Sequence, residues 1–466
     1  MAKTKKIYIC SGCNYESINW LGRCPNCQSW NSFVEETRIP ETAAADKGIN
    51  SWLEDTAGRS EAVELNQAAG VIESRFAPLK DFTDFNRVLG GGLVKGSLTL
   101  LGGEPGIGKS TLLLQLCRSV AAARILYVCG EESPAQIKLR ADRLGIKRSG
   151  IYLYPEVNFH KICQMAQKLQ ADLLIVDSIQ TVYMPESSGN LGAVSQIKNA
   201  AAGFLRLCKS KGITGILVGH VTKEGQIAGP LVLEHMVDTV LMFEGDANHD
   251  LRMLRATKNR FGTVNELAVF QMTNTGLQEI QNPSHMLLAN RPEGVSGSAV
   301  TAQLEGVRPL LLEVQALLNN ANIGQAMRMT QGFDRNRLNM LLALLSKQFS
   351  LNLLNYDAFI NVIGGLRIIE PACDLAVAAA ILSSYYDMPL PNNSLFLGEL
   401  GLTGELRSVN NIERRLNEAK GLGINQVFLP SADKSALSKS SLSASLNLYF
   451  LDQLKQLTDI CWQKRT

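Results

Sequence analysis

Hydrophobic positions along this chain change their rhythm from region to region. Between residues 97 and 243, short and almost unbroken apolar runs recur: Ser97-Leu-Thr-Leu-Leu101, Ile125-Leu-Tyr-Val-Cys129, Ile151-Tyr-Leu-Tyr154, Leu173-Leu-Ile-Val-Asp177, Gly215-Ile-Leu-Val-Gly219 and Thr239-Val-Leu-Met-Phe243. Runs this short, bounded by turn residues, read as buried strands. Between them, apolar residues recur at helical spacing over Thr111–Leu116, Pro134–Leu144, Phe159–Leu169 and a segment containing Gln196 and Lys198. This alternation predicts a mostly parallel sheet with helices on both faces, and ligands that bind beyond the carboxyl ends of the strands.

From about Pro283 the pattern shifts to an α+β mixture. Leu310–Leu317 and Phe359–Ile363 read as strands, Asp334–Leu345 as a strongly amphipathic helix, and Leu375–Leu382 as a buried helix. Phe396–Arg407 leads into a helix over Ile412–Gly421. Thr37–Ser74 has no sustained apolar period and reads as a linker, with a short helix fitting Ala62–Ala69. The expected divisions are residues 1–36, a linker over 37–74, an α/β core over 75–282 and a C-terminal domain over 283–466.

Composition narrows the class without naming it. The 466 residues leave room for about three domains of ~150 residues. A net charge of only +3 confines any nucleic-acid surface to a local patch. No apolar run approaches the ~20 residues that span a bilayer. The basic start Met1–Lys6 has no apolar stretch behind it, which excludes a secretory signal and predicts a cytoplasmic protein. Of ten cysteines, Cys117, Cys129, Cys163, Cys208, Cys373 and Cys461 are scattered singly and read as reduced core residues.

The other four carry chemistry. Cys10-x-x-Cys13 and Cys24-x-x-Cys27 each place two thiolates on a tight turn, and together they form the donor set of a structural Zn²⁺ site with no open position. So small a ribbon draws its folding energy from the metal. Lys3, Lys5, Lys6 and Arg23, with Tyr8, Trp20 and Trp30, are candidates for contacting nucleic acid or a protein, and equally for a solvated face with aromatic packing.

The strongest motif is Gly103, Glu104, Pro105, Gly106, Ile107, Gly108, Lys109 and Ser110, followed by Thr111. It fits G-x-x-x-x-G-K-[ST] between a strand and a helix, the arrangement that cradles phosphates with backbone N–H groups at a helix N-terminus. Lys109 is expected to reach the β- and γ-phosphates of ATP, and Ser110 to help hold Mg²⁺. Asp177, an acid at the end of an apolar strand, is expected to hold Mg²⁺ through water. Glu131 and Glu132 follow a strand end, and Glu131 is the preferred residue to activate water. Glu132 also fits a charge favoured by the helix dipole. Two Gly- and Ser-containing loops, Met184–Asn190 and His220–Pro230, follow core strands, with Lys223 as the first choice for phosphate contact or nucleotide sensing; the family resemblance given below is what makes them candidates to grip a DNA backbone. His220 reads as a hydrogen-bonded strand-end residue. No aromatic stripe supports base stacking, so the expected binding is sequence-independent and salt-sensitive.

In combination these residues resemble a known family. Leu89-Gly-Gly-Gly-Leu93, the phosphate loop running on to Gln115, Gly130-Glu-Glu-Ser133 and Lys258-Asn-Arg260-Phe-Gly262, behind a four-cysteine ribbon, are similar to the RecA-type core of bacterial RadA/Sms DNA-repair ATPases. The resemblance implies a homohexameric ring that translocates on single-stranded DNA, acts on branched DNA beside a RecA-type recombinase, and promotes branch migration in recombination and repair. It further implies that Lys258 and Arg260 reach a neighbouring subunit's γ-phosphate. The C-terminal domain resembles the proteolytic domain of Lon proteases, which pair a Ser nucleophile with a Lys. Here the corresponding segments read Glu370-Pro-Ala-Cys373-Asp-Leu-Ala376 and Asn411-Ile-Glu-Arg-Arg415, with no serine and no lysine. Arginine stays protonated and cannot act as a neutral amine base, so a scaffold without proteolysis is expected. Arg308, Arg328, Arg335, Arg337 and Lys347 are candidates for a basic surface on it. A non-motor ATP switch that loads a recombinase, and an ATP-dependent protease, are the competing readings.

Overall fold

The computed structural model describes residues 74–462, apart from 123, 188, 221–232, 246–250, 322–325 and 439, together with 5–10, 16–17, 22, 25 and 33–38 near the N-terminus. Residues 1–71 and 72–466 form two separate units. In the first, β1 (Lys5–Cys10) pairs antiparallel with β2 (Glu16–Ser17) and β3 (Phe33–Arg38), so Cys10 ends a strand opposite Phe33. Cys13, Cys24, Cys27 and the Cys10 side chain lie outside the described residues, as do the Ala62–Ala69 helix and most of the linker.

The second unit begins with the short helix α1 (Thr83–Val88) and is organised around a nine-stranded sheet. In chain order come β4 (Leu98–Gly103), α2 (Lys109–Ser119), β5 (Ile125–Cys129), α3 (Pro134–Arg143), β6 (Ile151–Tyr154), α4 (Phe159–Lys168) and β7 (Leu173–Asp177). Then follow α5 (Val194–Lys211), β8 (Thr214–His220), β9 (Thr239–Glu244), β10 (Leu251–Asn259), β11 (Leu267–Thr273) and β12 (Gly276–Glu279). The spatial order is β12-β11-β10-β9-β4-β8-β7-β5-β6. Strands β4 to β9 are mutually parallel, as their unbroken apolar sequences predict. Along β5, Ile125, Tyr127 and Cys129 face a core under α2 and α3, while Leu126 and Val128 face a second core under α4 and α5. The helices start where capping side chains permit. Ser133 and Gln136 make a reciprocal capping box for α3, and Asn158 caps α4.

The antiparallel extension β10–β12 is absent from the sequence reading. Along β10, buried Leu254 and Ala256 alternate with exposed Arg255 and Thr257, so no apolar run announces the strand.

The C-terminal half adds α6 (Pro283–Leu288), then β13 (Ser298–Glu305), β14 (Arg308–Asn320), β15 (Arg328–Gln331), α7 (Arg335–Phe349), β16 (Tyr356–Val362) and α8 (Asp374–Tyr386). After these come β17 (Ser394–Phe396), β18 (Glu399–Leu400), β19 (Leu406–Arg407), α9 (Ile412–Gly421), β20 (Gln426–Pro430), β21 (Asn447–Leu451) and α10 (Lys455–Trp462). Its main sheet has the order β13-β14-β16-β15, and β17-β20-β21 form a second, parallel sheet. Helix α8 is apolar on every side and is buried from Asp374 to Ser383. The core that contains it also takes in Leu251, Leu267 and Val269 from β10 and β11, so elements of the nine-stranded sheet and of the C-terminal half share one hydrophobic cluster. Arg308 pairs with the buried Asp84 of α1 across the same junction at 2.5 Å. Cys117, Cys129, Cys163, Cys208 and Cys373 are free, buried thiols, as their apolar surroundings predict. Among the described residues no helix is long and apolar enough to cross a membrane.

Two of the sequence motifs meet backbone to backbone. Gly90 has φ +76°, and a Cβ there would lie 2.7 Å from the Phe261 carbonyl oxygen and 2.9 Å from Gly262 Cα. Arg75 holds the two turns together by donating to the carbonyls of Gly90 and Phe261. Replacing Gly90 by alanine is therefore expected to destabilise the protein by about 2 kcal/mol, from the left-handed backbone and the overlap together. Urea unfolding of the two proteins checks this, and an unchanged midpoint would mean that the turns are not held this closely.

Candidate nucleotide-binding site

Strand β4 delivers the phosphate loop to the carboxyl edge of the sheet. Gly103 sits so close to β9 that a Cβ would lie 2.5 Å from the Phe243 carbonyl oxygen. Gly106 and Gly108 take φ values of +78° and +114°, which turn the loop into α2. Gly108 serves as the N-cap without a side-chain bond, so the N–H groups of the first turn stay free for an anion. The buried Ile107 side chain anchors the loop, and its carbonyl accepts from Arg252 Nε at 3.1 Å. Farther along α2, Gln115 exchanges two hydrogen bonds of 2.9 Å with the backbone of Leu277 in β12. Glu104 is half-buried, Pro105 and Gly106 are exposed, and Thr111 is buried.

Lys109 is only 4% exposed. Its ammonium donates to the carbonyls of Gly103 and Glu104 at 2.8 Å each and lies 3.2 Å from His220 Nδ1. These contacts use its three protons. Burial pulls its pKa down to about 8, against the opposing pull of Asp177, Glu131 and Glu104. With Nδ1 accepting from Lys109, His220 is left to donate from Nε2, which meets Glu131 Oε1 at 2.9 Å. Glu131 also accepts from the Ser178 hydroxyl. Burial pushes its carboxyl up, but Ser178, His220 and Lys109 together outweigh that and hold it below the usual carboxylate range. The neighbouring Glu132 is engaged elsewhere, in a two-pronged bond with Arg140 at 2.6 and 2.8 Å.

Asp177 ends β7 opposite the loop, joined to Ser178 by a cis peptide. Its Oδ2 accepts from Ser110 Oγ at 2.7 Å and from Tyr127 Oη at 2.6 Å. A hydroxyl and a carboxylate side by side at the mouth of a phosphate loop are the hard oxygen donors that Mg²⁺ prefers.

A family model described as an AAA domain matches residues 76–226, and one described as a rubredoxin metal binding domain matches residues 8–35, which include all four clustered cysteines. A third, described as subunit ChlI of Mg-chelatase, matches residues 351–433. The DNA repair protein RadA of Streptococcus pyogenes serotype M3 is 47% identical over 449 residues, covering 96% of this chain and 97% of its own length. Its counterpart in Bacillus subtilis is 45% identical over 443 residues, covering 94% and 95%. The chain belongs to the RadA family of DNA repair proteins.

The segment Lys258–Gly262 lies at the other end of the sheet. Gly103 pairs with Phe243, whereas Thr99 pairs with Thr239 and Thr239 with Asn259. Four strand residues, roughly 13 Å, separate the two ends. Lys258 and Arg260 are therefore out of reach of a triphosphate on their own loop. Lys258 donates to the Glu234 carbonyl at 2.6 Å. Arg260 is 59% exposed and lies 3.5 Å from Asp238. Asp238, itself buried, also accepts from the Leu98 N–H at the start of β4 and pairs with Lys209, both at 3.0 Å. Lys223 and its loop lie outside the described residues.

In the C-terminal half, Arg415 is fully buried, clasps Glu370, and donates to the Asn410 carbonyl at 3.0 Å. Cys373 is fully buried too, and burial pushes its thiol up to about 12. Arg337 pairs with Asp374, and Arg328 holds the carbonyls of Tyr356 and Leu354. With Arg308 on Asp84, three of the five candidate surface cations are committed to internal contacts. Sequence reasoning missed Tyr127, Ser178 and Arg252 at the site. A tyrosine in the middle of an apolar strand was the one available signal, because a buried hydroxyl needs a partner.

The depressed Lys109 pKa gives a pH dependence with a definite sign. Between about pH 8 and the ordinary lysine value of 10.5, the unfolded chain keeps a proton that the folded chain releases, so stability rises with pH. Without nucleotide, the wild-type protein should gain up to about 3 kcal/mol relative to Lys109→Met across that window, and nothing below it. Urea unfolding at a series of pH values reads the difference, and a constant offset between the two proteins would contradict it.

Proposed function

We propose that this protein is an ATP-driven DNA motor of recombination and repair, which translocates on single-stranded DNA and promotes branch migration. One observation carries the reading above all: the phosphate loop, Asp177 and Glu131 converge at one end of the sheet, while an exposed Arg260 stands at the other. Lys109 leaves the loop carbonyls for the β- and γ-phosphates, where negative charge replaces the dipoles that hold it in the free protein. Ser110 and Asp177 hold Mg²⁺, which when bound neutralises phosphate charge. Glu131 stays ionised and orients the attacking water by accepting a hydrogen bond. His220 fixes the direction of that carboxylate.

Lys258 and Arg260 act in trans, on the nucleotide of the next subunit in a homohexameric ring. A cation from a neighbour stabilises charge on the transferred phosphoryl group and ties hydrolysis to subunit motion. Lys223 and the loop around it contact the DNA backbone. Cys10, Cys13, Cys24 and Cys27 would hold a structural Zn²⁺, four thiolates leaving no position for catalysis. That ribbon meets the DNA or a RecA-type recombinase in the cytoplasm. Residues 75–282 are the motor core, and 283–466 are a scaffold without proteolysis, since Cys373 and Arg415 are sealed from solvent.

Arg260→Ala alone should lose about a thousandfold in turnover. Mixing it with Lys109→Ala, itself inactive, should restore activity, because some interfaces then combine an intact loop with an intact arginine. No recovery in the mixture would rule out the trans role.

The motor itself is tested by unwinding of a forked DNA with ATP and Mg²⁺, with and without a recombinase filament, beside Lys109→Ala. Strand separation that requires Lys109 is the expected result. DNA-stimulated hydrolysis with no separation under either condition would replace the motor by a recombinase-loading switch.

A further inference from the structure

Asp177 has two hydroxyl partners on one oxygen, and only one of them belongs to the phosphate loop. Ser110 is free to turn toward a cation once nucleotide arrives. Tyr127 is not: it stands in the middle of β5 with none of its surface exposed, packed in the core beneath α2. Cys129 pairs with Asp177 across the adjoining strands, so Tyr127 and Asp177 belong to neighbouring strands of the same parallel ladder, with only the Asp177 end partly exposed. The phenol therefore reaches the carboxylate from the protein interior, while the cation must come from the nucleotide side.

A phenylalanine would fill this place without a polar atom to satisfy, so packing alone does not call for the hydroxyl. What the hydroxyl adds is direction. A carboxylate on a strand end can rotate about its last bond, and each orientation offers a different oxygen to the cation. A donor at 2.6 Å holds Oδ2, the oxygen that also meets Ser110, and thereby fixes which way the carboxylate is turned. Carboxylates that hold metals are commonly aimed this way by a second hydrogen bond from behind.

We infer that Tyr127 is a positioning residue for Mg²⁺, acting through Asp177 and fixing which carboxylate oxygen meets the cation or its water. The inference rests on reading Asp177 as the acid that holds Mg²⁺, and its test separates the two. Binding of a fluorescent ADP to the full-length protein is titrated with Mg²⁺, and repeated in a chelator without any divalent cation. In Tyr127→Phe the Mg²⁺ concentration at half-saturation should rise about tenfold, while chelator-phase ADP affinity and the thermal midpoint stay at wild-type values. Asp177→Asn should raise it further. An unchanged Mg²⁺ midpoint in Tyr127→Phe, with Asp177→Asn shifted, would overturn the role of Tyr127 alone. An unchanged midpoint in Asp177→Asn would overturn the reading beneath it. A loss of ADP affinity in chelator equal to the loss in Mg²⁺ would reduce Tyr127 to a packing residue and also overturn the inference.

Discussion

Burial of one ammonium group organises the phosphate-loop end of the sheet. Lys109 lies almost wholly out of water, and a charge there needs partners. The loop's own carbonyls and His220 supply them. That choice sets the rest in order. Accepting from Lys109 fixes the histidine tautomer, the tautomer presents a donor to Glu131, and Glu131 is thereby drawn to Ser178 beside Asp177. A single desolvated cation thus ties His220, Glu131 and Ser178 into one network beside the phosphate loop.

The sheet makes this arrangement two-ended. Strand β4 carries the phosphate loop at its carboxyl end, and at its other end it gives its first N–H to Asp238. Asp238 also faces Arg260. The turn that holds Arg260 is in turn fitted against Gly90, through Phe261 and Gly262. Residues far apart in the chain are thus joined by short polar contacts along one strand.

The parallel part of the fold was legible because strands buried on both faces are written as continuous apolar runs. The phosphate loop was legible because its glycines and lysine sit at fixed spacings between a strand and a helix. What stayed hidden were contacts made across the sheet. Nothing local to His220 says that it stands between Lys109 and Glu131, more than 80 positions from either. Strand β10 escaped because polar residues interrupt it, and Arg252 escaped with it. In the C-terminal half, arginines that read as surface charge turned out to bind Asp84, Asp374 and backbone carbonyls. Sequence shows that a residue is charged, but only the fold shows whether the charge is already used.

The core shared by β10, β11 and α8 has a mechanical meaning. Leu251, Leu267 and Val269 are packed in the same cluster as Leu310, Leu312 and Leu375, so separating the two halves would bring a broad apolar seam into water. A hinge motion between the two halves would have to open that seam, at a cost that grows with the apolar area brought into water.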